Sequence, residues 1–540
     1  MSLQKKGRGL LAGIGAAATA VLLALGGGAA AQAAPIIPPS FEHGNLHIHK
    51  FEQPAAPGQP ADGLPRDTAG LTPIGEVTFT VQRIKHVDLS TNAGWVAAAG
   101  ISYDAATGTI SGEGSDGQPA VIGDVDPANG TQTTDAAGDA TFSGLPIGLY
   151  LVTETAAPAG VTPSAPFLVT VPLTNPETRT DWMQDVHVYP KNSTSTATKT
   201  VDDAAAVKVG DDIAWTIRGD IPKTADPAYD SAAPIGAGNQ PFLAPSGYRV
   251  SDTLDQRLAY VSAEVTLTEG GGALVPADYT VVVPSAENGN TFSVTFTAAG
   301  LAKLGAAAGV AGSQVQVVLT TTVTSLGDGT VGDGVITNRA VVFPNRPSIE
   351  GDPGNPPTET PEVESRWGDI LIHKVDARNR TVALPGAEFQ VFASKEDADR
   401  LANPISVNGT TTFTTGDDGT VRISGLRYSD FVDGAQLADD QDPKWRYYWV
   451  VETRAPEVDG QRYELLAEPV RVTVDAAQQV ISGDVENPAA GETVIENVPH
   501  NAGFELPLTG AAGTWMFTIG GLLVLGGGLA LALRRRKTGA

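Results

Sequence analysis

Three lysines, three carboxylic acids and three asparagines recur in one order along this 540-residue chain, where they could join to one another as amides. In Asn45-Leu46-His47-Ile48-His49-Lys50, strand alternation puts Leu46, Ile48 and Lys50 on one face. Asp369-Ile370-Leu371-Ile372-His373-Lys374 repeats this with Ile370, Ile372 and Lys374, so both lysines point with the apolar side chains. Further on, Glu154 is in phase with Tyr150 and Val152, and Glu452 with Tyr448 and Val450. Asn192 follows Val186 and Val188, and Asn497 follows Ile495. Between these copies, Lys199 shares a face with Ala197 and Val201, Asp252 with Tyr248, Val250 and Leu254, and Asn338 with Ile336, Ala340 and Val342.

A buried lysine is driven toward the neutral amine, and a buried carboxylic acid toward its protonated form. Such an amine can attack the side-chain carbonyl of an asparagine while the acid polarises that carbonyl and passes protons to the departing ammonia. Rigid packing supplies the effective concentration. The product is an intramolecular isopeptide bond, made once per site. A lysine snorkelling to a carboxylate would explain one trio alone; three in the same order favour acyl transfer.

The elements that must position these groups read as strands. Val, Thr and Ile runs are broken by Gly, Pro, Asn and Asp, helical periodicity is nearly absent, and 62 glycines and 38 prolines argue against a helical bundle. The length fits about three domains. One boundary is expected near Asn192, before the Ser/Thr stretch 193–198, and a second in 344–364, whose six prolines read as a linker or domain edge. A net charge of -26 makes nucleic acid a poor partner, and with Cys 0 there is no disulfide, thiol nucleophile or cysteine metal site. No phosphate loop, catalytic triad or calcium loop is found, the acidic run 433–442 lacking the required spacing, so no cofactor is expected. His43, His47 and His49 are read as solvated residues rather than zinc ligands. Arg218-Gly219-Asp220 closes a strand pattern, where Gly-Asp makes a turn.

The two ends fix the compartment. Lys5, Lys6 and Arg8 precede an apolar run and Ala31-Gln32-Ala33, the features of a cleaved signal peptide. Residues 515–533 form an apolar span closed by Arg534, Arg535, Arg536 and Lys537, and just upstream lies Leu506-Pro507-Leu508-Thr509-Gly510. Pentapeptide, span and basic tail together resemble the wall-sorting signal read by sortase transpeptidases of Gram-positive bacteria. The resemblance implies that a sortase cysteine attacks the carbonyl of Thr509, releases Gly510 onward and holds the protein as a thioester. Losing both ends removes seven basic residues and no acidic one, taking the net charge from -26 to about -33.

The Tyr-x-x-x-Glu-Thr-x-Ala-Pro boxes at 150–158 and 448–456, with their inward lysines and terminal asparagines, resemble collagen-adhesin B-type domains, and the middle trio resembles the related A-type domain. The whole mature chain is similar to the backbone subunits of sortase-assembled pili, including actinomycete fimbrial major subunits. The resemblance implies an all-β architecture of three tandem immunoglobulin-like β-sandwiches: signal peptide 1–33, domains 34–192, 193–365 and 366–504, and sorting signal 505–540. It implies bonds from Lys50 to Asn192 aided by Glu154, Lys199 to Asn338 aided by Asp252, and Lys374 to Asn497 aided by Glu452. Lys208 is an alternative to Lys199, and Asn501 to Asn497. Val186-His187-Val188-Tyr189-Pro190-Lys191-Asn192 resembles the pilin motif whose lysine resolves the sortase thioester. With Val186, Val188 and Asn192 inward, Lys191 is expected to be an exposed amine. One acceptor and one donor per subunit give a linear fibre. The implied partners are a class C pilus sortase, identical subunits, minor tip and base pilins, and peptidoglycan at the cell surface; the protein is a substrate, not an enzyme. The alternative is a monomeric wall-anchored adhesin.

Overall fold

A computed structural model of the chain describes residues 37–500 apart from 39, 55–60, 106, 227, 237, 327–333, 477–483, 487 and 489–491. The expected signal peptide, the pentapeptide 506–510, the apolar span and Asn501 lie outside the described residues. Among the described residues no helix is long and apolar enough to cross a membrane.

The fold is all-β. Strand His43–His49 pairs antiparallel with Asp139–Pro146 and parallel with Asp185–Val188. The sheet against it is built on Thr78–Lys85, flanked by Gly148–Ala156 and Val121–Val125. Leu46, Ile48, Phe79, Phe142, Val152 and Val186 meet between the two layers. The C-terminal part repeats this arrangement. Val363–Asp376 pairs antiparallel with Thr420–Arg427 and parallel with Glu492–Asn497, against a sheet holding Glu388–Phe392, Tyr448–Arg454 and Val470–Val472. In the middle, the sheet Ala197–Asp202, Asp212–Asp220, Gln314–Val323, Leu258–Leu267 faces one holding Arg249–Thr253 and Ala340–Phe343, with Trp215, Tyr248, Phe292 and Leu319 between them.

Two features depart from the expectations. Helices Asn92–Gly100 and Ala298–Ala308 occupy stretches rich in alanine and glycine, whose narrow apolar stripe left little periodicity to detect. Each is started by a threonine, Thr91 or Thr297, whose hydroxyl accepts a backbone N–H of the first turn. The proline-rich stretch 344–364 is folded rather than a free linker. Asn345 caps helix Arg346–Glu350, and Thr358–Glu359 joins the sheet of Ala340–Phe343.

Strand Val363–Asp376 is 14 residues long and serves two sheets. Its first residues pair with Val335–Asn338 and the rest with Thr420–Arg427, so the boundary expected at 365/366 falls inside a continuous strand. Beside it, Asp203 accepts from the Ser365 hydroxyl at 2.5 Å and from the Asp433 backbone N–H at 2.8 Å, and the Asp203 N–H donates back to Asp433 at 3.1 Å. The buried Arg427 and the neighbouring Arg446 donate to backbone carbonyls of 204–206, tying the third part to the second.

Candidate functional site

Strand alternation delivers all three trios to the core. The side chains of Lys50, Glu154, Lys199, Asp252, Lys374 and Glu452 are 0% exposed. In the first trio Lys50 Nζ donates to Asn192 Oδ1 and lies 2.9 Å from Glu154 Oε2, while Asn192 Nδ2 donates to Glu154 Oε1. The third trio has the same geometry. Lys374 Nζ donates to Asn497 Oδ1 and lies 3.2 Å from Glu452, to which Asn497 Nδ2 donates at 2.8 Å. In both, the acid bridges amine and carboxamide, as a proton shuttle must.

The middle trio is arranged differently. Lys199 Nζ donates to Asp252 Oδ2, and Asn338 Nδ2 reaches the same oxygen at 3.4 Å. Asn338 Oδ1 and Asp252 Oδ1 are buried without a hydrogen-bond partner among the described residues. The Asn338 carbonyl is thus bonded by neither Lys199 nor Asp252. The alternative Lys208 pairs with Asp211 at 2.8 Å, away from this cluster.

Burial pulls each of the three lysines from 10.5 down to about 8, against the opposing pull of its carboxylate. Burial also raises Asp252 despite Lys199 beside it. At pH 7 a lysine titrating near 8 is neutral about one time in ten, against about one in three thousand for an ordinary side chain. The free amine is therefore present in quantity. An aromatic face roofs each one: Phe79 at 5.5 Å, Trp215 at 5.3 Å and Phe389 at 5.6 Å. These rings were not singled out from the sequence, although Phe79 and Phe389 pair in register with Glu154 and Glu452 on the adjacent strand. Also unforeseen are the loop donors to the acids: the Ser164 N–H and hydroxyl reach Glu154 at 3.1 and 2.9 Å, and the Leu466 N–H reaches Glu452 at 3.0 Å. Loops carry no periodic signal that could have revealed them.

Lys191 differs from the expectation. Strand Lys191–Thr194 pairs parallel with Phe51–Glu52, and Asn192 is buried, but Lys191 is half-buried rather than exposed. Residues 62–66 cross the motif strand: the Gly63 carbonyl accepts from His187 N–H at 2.9 Å and the Arg66 N–H donates to the Tyr189 hydroxyl at 2.7 Å. Alternation gives the face of a strand but not what a distant loop lays on it.

His47 and His49 are not freely solvated. They sandwich His187 at 4.5 and 5.2 Å, and His49 also stacks on Tyr189 at 4.9 Å. Their ring nitrogens contact Thr141, Asp185, Asp139 and His187. Arg218-Gly219-Asp220 lies within strand Asp212–Asp220, paired on both sides with Gly219 buried, so no loop presents it.

Residues 42–193 match the Gram-positive pilin subunit D1, N-terminal domain, and residues 498–538 match the LPXTG cell wall anchor motif. The chain is 32% identical to fimbrial subunit type 1 of Actinomyces viscosus over 99% of its own length and 98% of the relative's. It is 34% identical to fimbrial subunit type 2 of Actinomyces naeslundii over 92% of this chain and 90% of that one. Its fold is similar to the full-length major pilin SpaD of Corynebacterium diphtheriae, with a TM-score of 0.62 and 27% identity over 85% of this chain and 97% of that one. The chain belongs to the Gram-positive fimbrial subunits. This pilin is a major pilin of sortase-assembled pili: a structural component of a wall-anchored pilus on the cell surface. The buried trios of this pilin and the strand bearing Lys191 are the groups whose placement bears on its chemistry.

Proposed function

We propose that this pilin is the shaft subunit, polymerised head to tail by a class C sortase that joins Thr509 of one subunit to Lys191 of the next, with the finished fibre anchored to peptidoglycan. The observation carrying this reading is the separation of two kinds of amine. Lys50, Lys199 and Lys374 are each enclosed with an acid and an asparagine, whereas the Lys191 side-chain amine has no carboxylate or hydrogen-bond partner among the described residues. In the joining step the neutral Lys191 amine attacks the thioester carbonyl of Thr509. The C–N bond forms, the C–S bond breaks, and the amine proton passes to the departing thiolate. The enclosed lysines form isopeptide bonds to Asn192, Asn338 and Asn497, assisted by Glu154, Asp252 and Glu452, each releasing one ammonia. Those bonds staple three domains, 34–192, 193–365 and 366–504, behind a signal peptide of residues 1–33. Minor tip and base pilins complete the fibre.

An immunoblot of wall extracts tests the reading: a high-mass ladder that survives boiling in detergent is expected. A single wall-linked band would instead support the monomeric adhesin.

The lysine titrations give a second test. In a variant with Asn192, Asn338 and Asn497 all replaced by alanine, the buried amines stay free and titrate near 8 in the fold but near 10.5 once unfolded. Between those values the unfolded chain binds more protons, so stability rises with pH across that window and has no such slope below it. The bonded protein has amides there that do not titrate. Denaturant melts at stepped pH should therefore show the stability gap between the two proteins narrowing from about pH 8 to 10.5.

A further inference from the structure

The segment crossing the motif strand places a charge where the acceptor amine needs one. Gly63 enters with φ +86, and a side chain there would meet Leu173 at 2.5 Å, so the backbone lies tight against the core before the chain reaches Arg66. The Arg66 guanidinium then lies 5.9 Å from the Tyr189 ring centroid, anchored by Asp62 at 3.2 Å. Tyr189 is two residues before Lys191, and both are half-buried while Val188 and Asn192 on either side are buried. The other charged or titratable groups around the motif are engaged elsewhere or out of register. His49 contacts Asp139 at 2.7 Å and His187 at 2.9 Å, Glu52 pairs in register with Asn192, and Asp67 bonds the Ala69 N–H at 2.9 Å.

We propose that Arg66 is a positioning residue for the intersubunit reaction: stacked on Tyr189, it holds a second positive charge toward the Lys191 amine and so favours the uncharged, nucleophilic form. This inference rests on Lys191 being the acceptor. Half-burial of Lys191 lowers its affinity for a proton, and the repulsion from Arg66 lowers it further. In a chain with 61 acidic residues, an amine without a carboxylate partner needs something to keep one from pairing with it, and a neighbouring guanidinium already tied to Asp62 does so.

The test is competitive acetylation of the full mature protein with acetic anhydride across pH, read at Lys191 and at the exposed Lys85 by peptide mass spectrometry, with sortase transfer followed on the same proteins. Arg66→Gln should move the Lys191 profile to higher pH and cut its labelling near neutrality by about three- to tenfold, the order expected for removing one partly screened neighbouring charge. Arg66→Lys should retain the native profile. Asp62→Asn, which leaves Arg66 less compensated, should move it to lower pH. Sortase transfer should follow the same order, with Lys85 unchanged throughout. An unaltered Lys191 profile in a folded Arg66→Gln protein would overturn the proposal, as would Arg66→Lys behaving like Arg66→Gln, which would mean packing rather than charge. Continued polymerisation of Lys191→Ala would instead overturn the acceptor assignment, with the labelling profile still deciding the effect of Arg66.

Discussion

Replacing Lys191 with alanine is expected to abolish the detergent-resistant ladder and leave wall-linked monomer, the largest effect any single substitution should have on assembly. With Lys191 as the proposed acceptor and Thr509 as the proposed donor, losing the acceptor stops growth at the first addition while leaving Thr509 free for attachment to the wall. Arginine at 191 should fail equally, because its guanidinium stays protonated and cannot act as the amine. Lys85→Ala is the control. Its side chain is more than half exposed and lies 3.8 Å from Asp124, yet it is on another strand and should leave the ladder intact. A ladder of normal length from the Lys191→Ala strain would assign the acceptor to a different lysine.

The second large effect is on mass and stability together. Intact mature protein should weigh less than its sequence by one ammonia for each of three bonds. Glu452→Ala should regain one ammonia, because Lys374 and Asn497 lose the acid that links them. The Lys374–Asn497 bond closes a loop spanning 123 positions, and by analogy with a disulfide its loss should cost about 4–5 kcal/mol. Removing the acid also leaves the Lys374 amine buried without its counter-ion, which adds to the loss. Calorimetry should show the C-terminal part unfolding at lower temperature while the ladder persists, since stapling and polymerisation use different amines. A mass equal to the sequence in the unmodified protein would refute the bonds altogether.

Much of this was legible because alternation in a strand is local. Lys50 and Lys374 each follow apolar residues two and four positions earlier, and Lys199 sits between Ala197 and Val201, a pattern that places all three inward. The asparagines and acids obeyed the same rule, and Lys199 rather than Lys208 occupies the middle core. What stayed hidden depends on residues far apart in the chain. Residues 62–66 bond to His187 and Tyr189 from more than 120 positions away, and Asp252 and Asn338 stand on strands that pair in different sheets. Prolines in 344–364 suggested a linker or domain edge, and Asn345 makes that stretch a capped helix whose site is set by tertiary contact, including its side chain donating to Thr162 at 3.3 Å.

Strand Val363–Asp376 has a mechanical consequence. Its hydrogen bonds pass from Val335–Asn338 to Thr420–Arg427 with one irregularity, at Gly368/Asp369, so the strand itself braces the joint it crosses. To bend there, the fibre would have to rupture a ladder and the reciprocal Asp203–Asp433 bonds at once. Tension reaching this joint loads both sheets in shear, along the direction in which many hydrogen bonds must fail together. The fibre is therefore stiff at this point in every subunit, and its compliance, the freedom to swing in flow and still hold, must reside at other joints along its length.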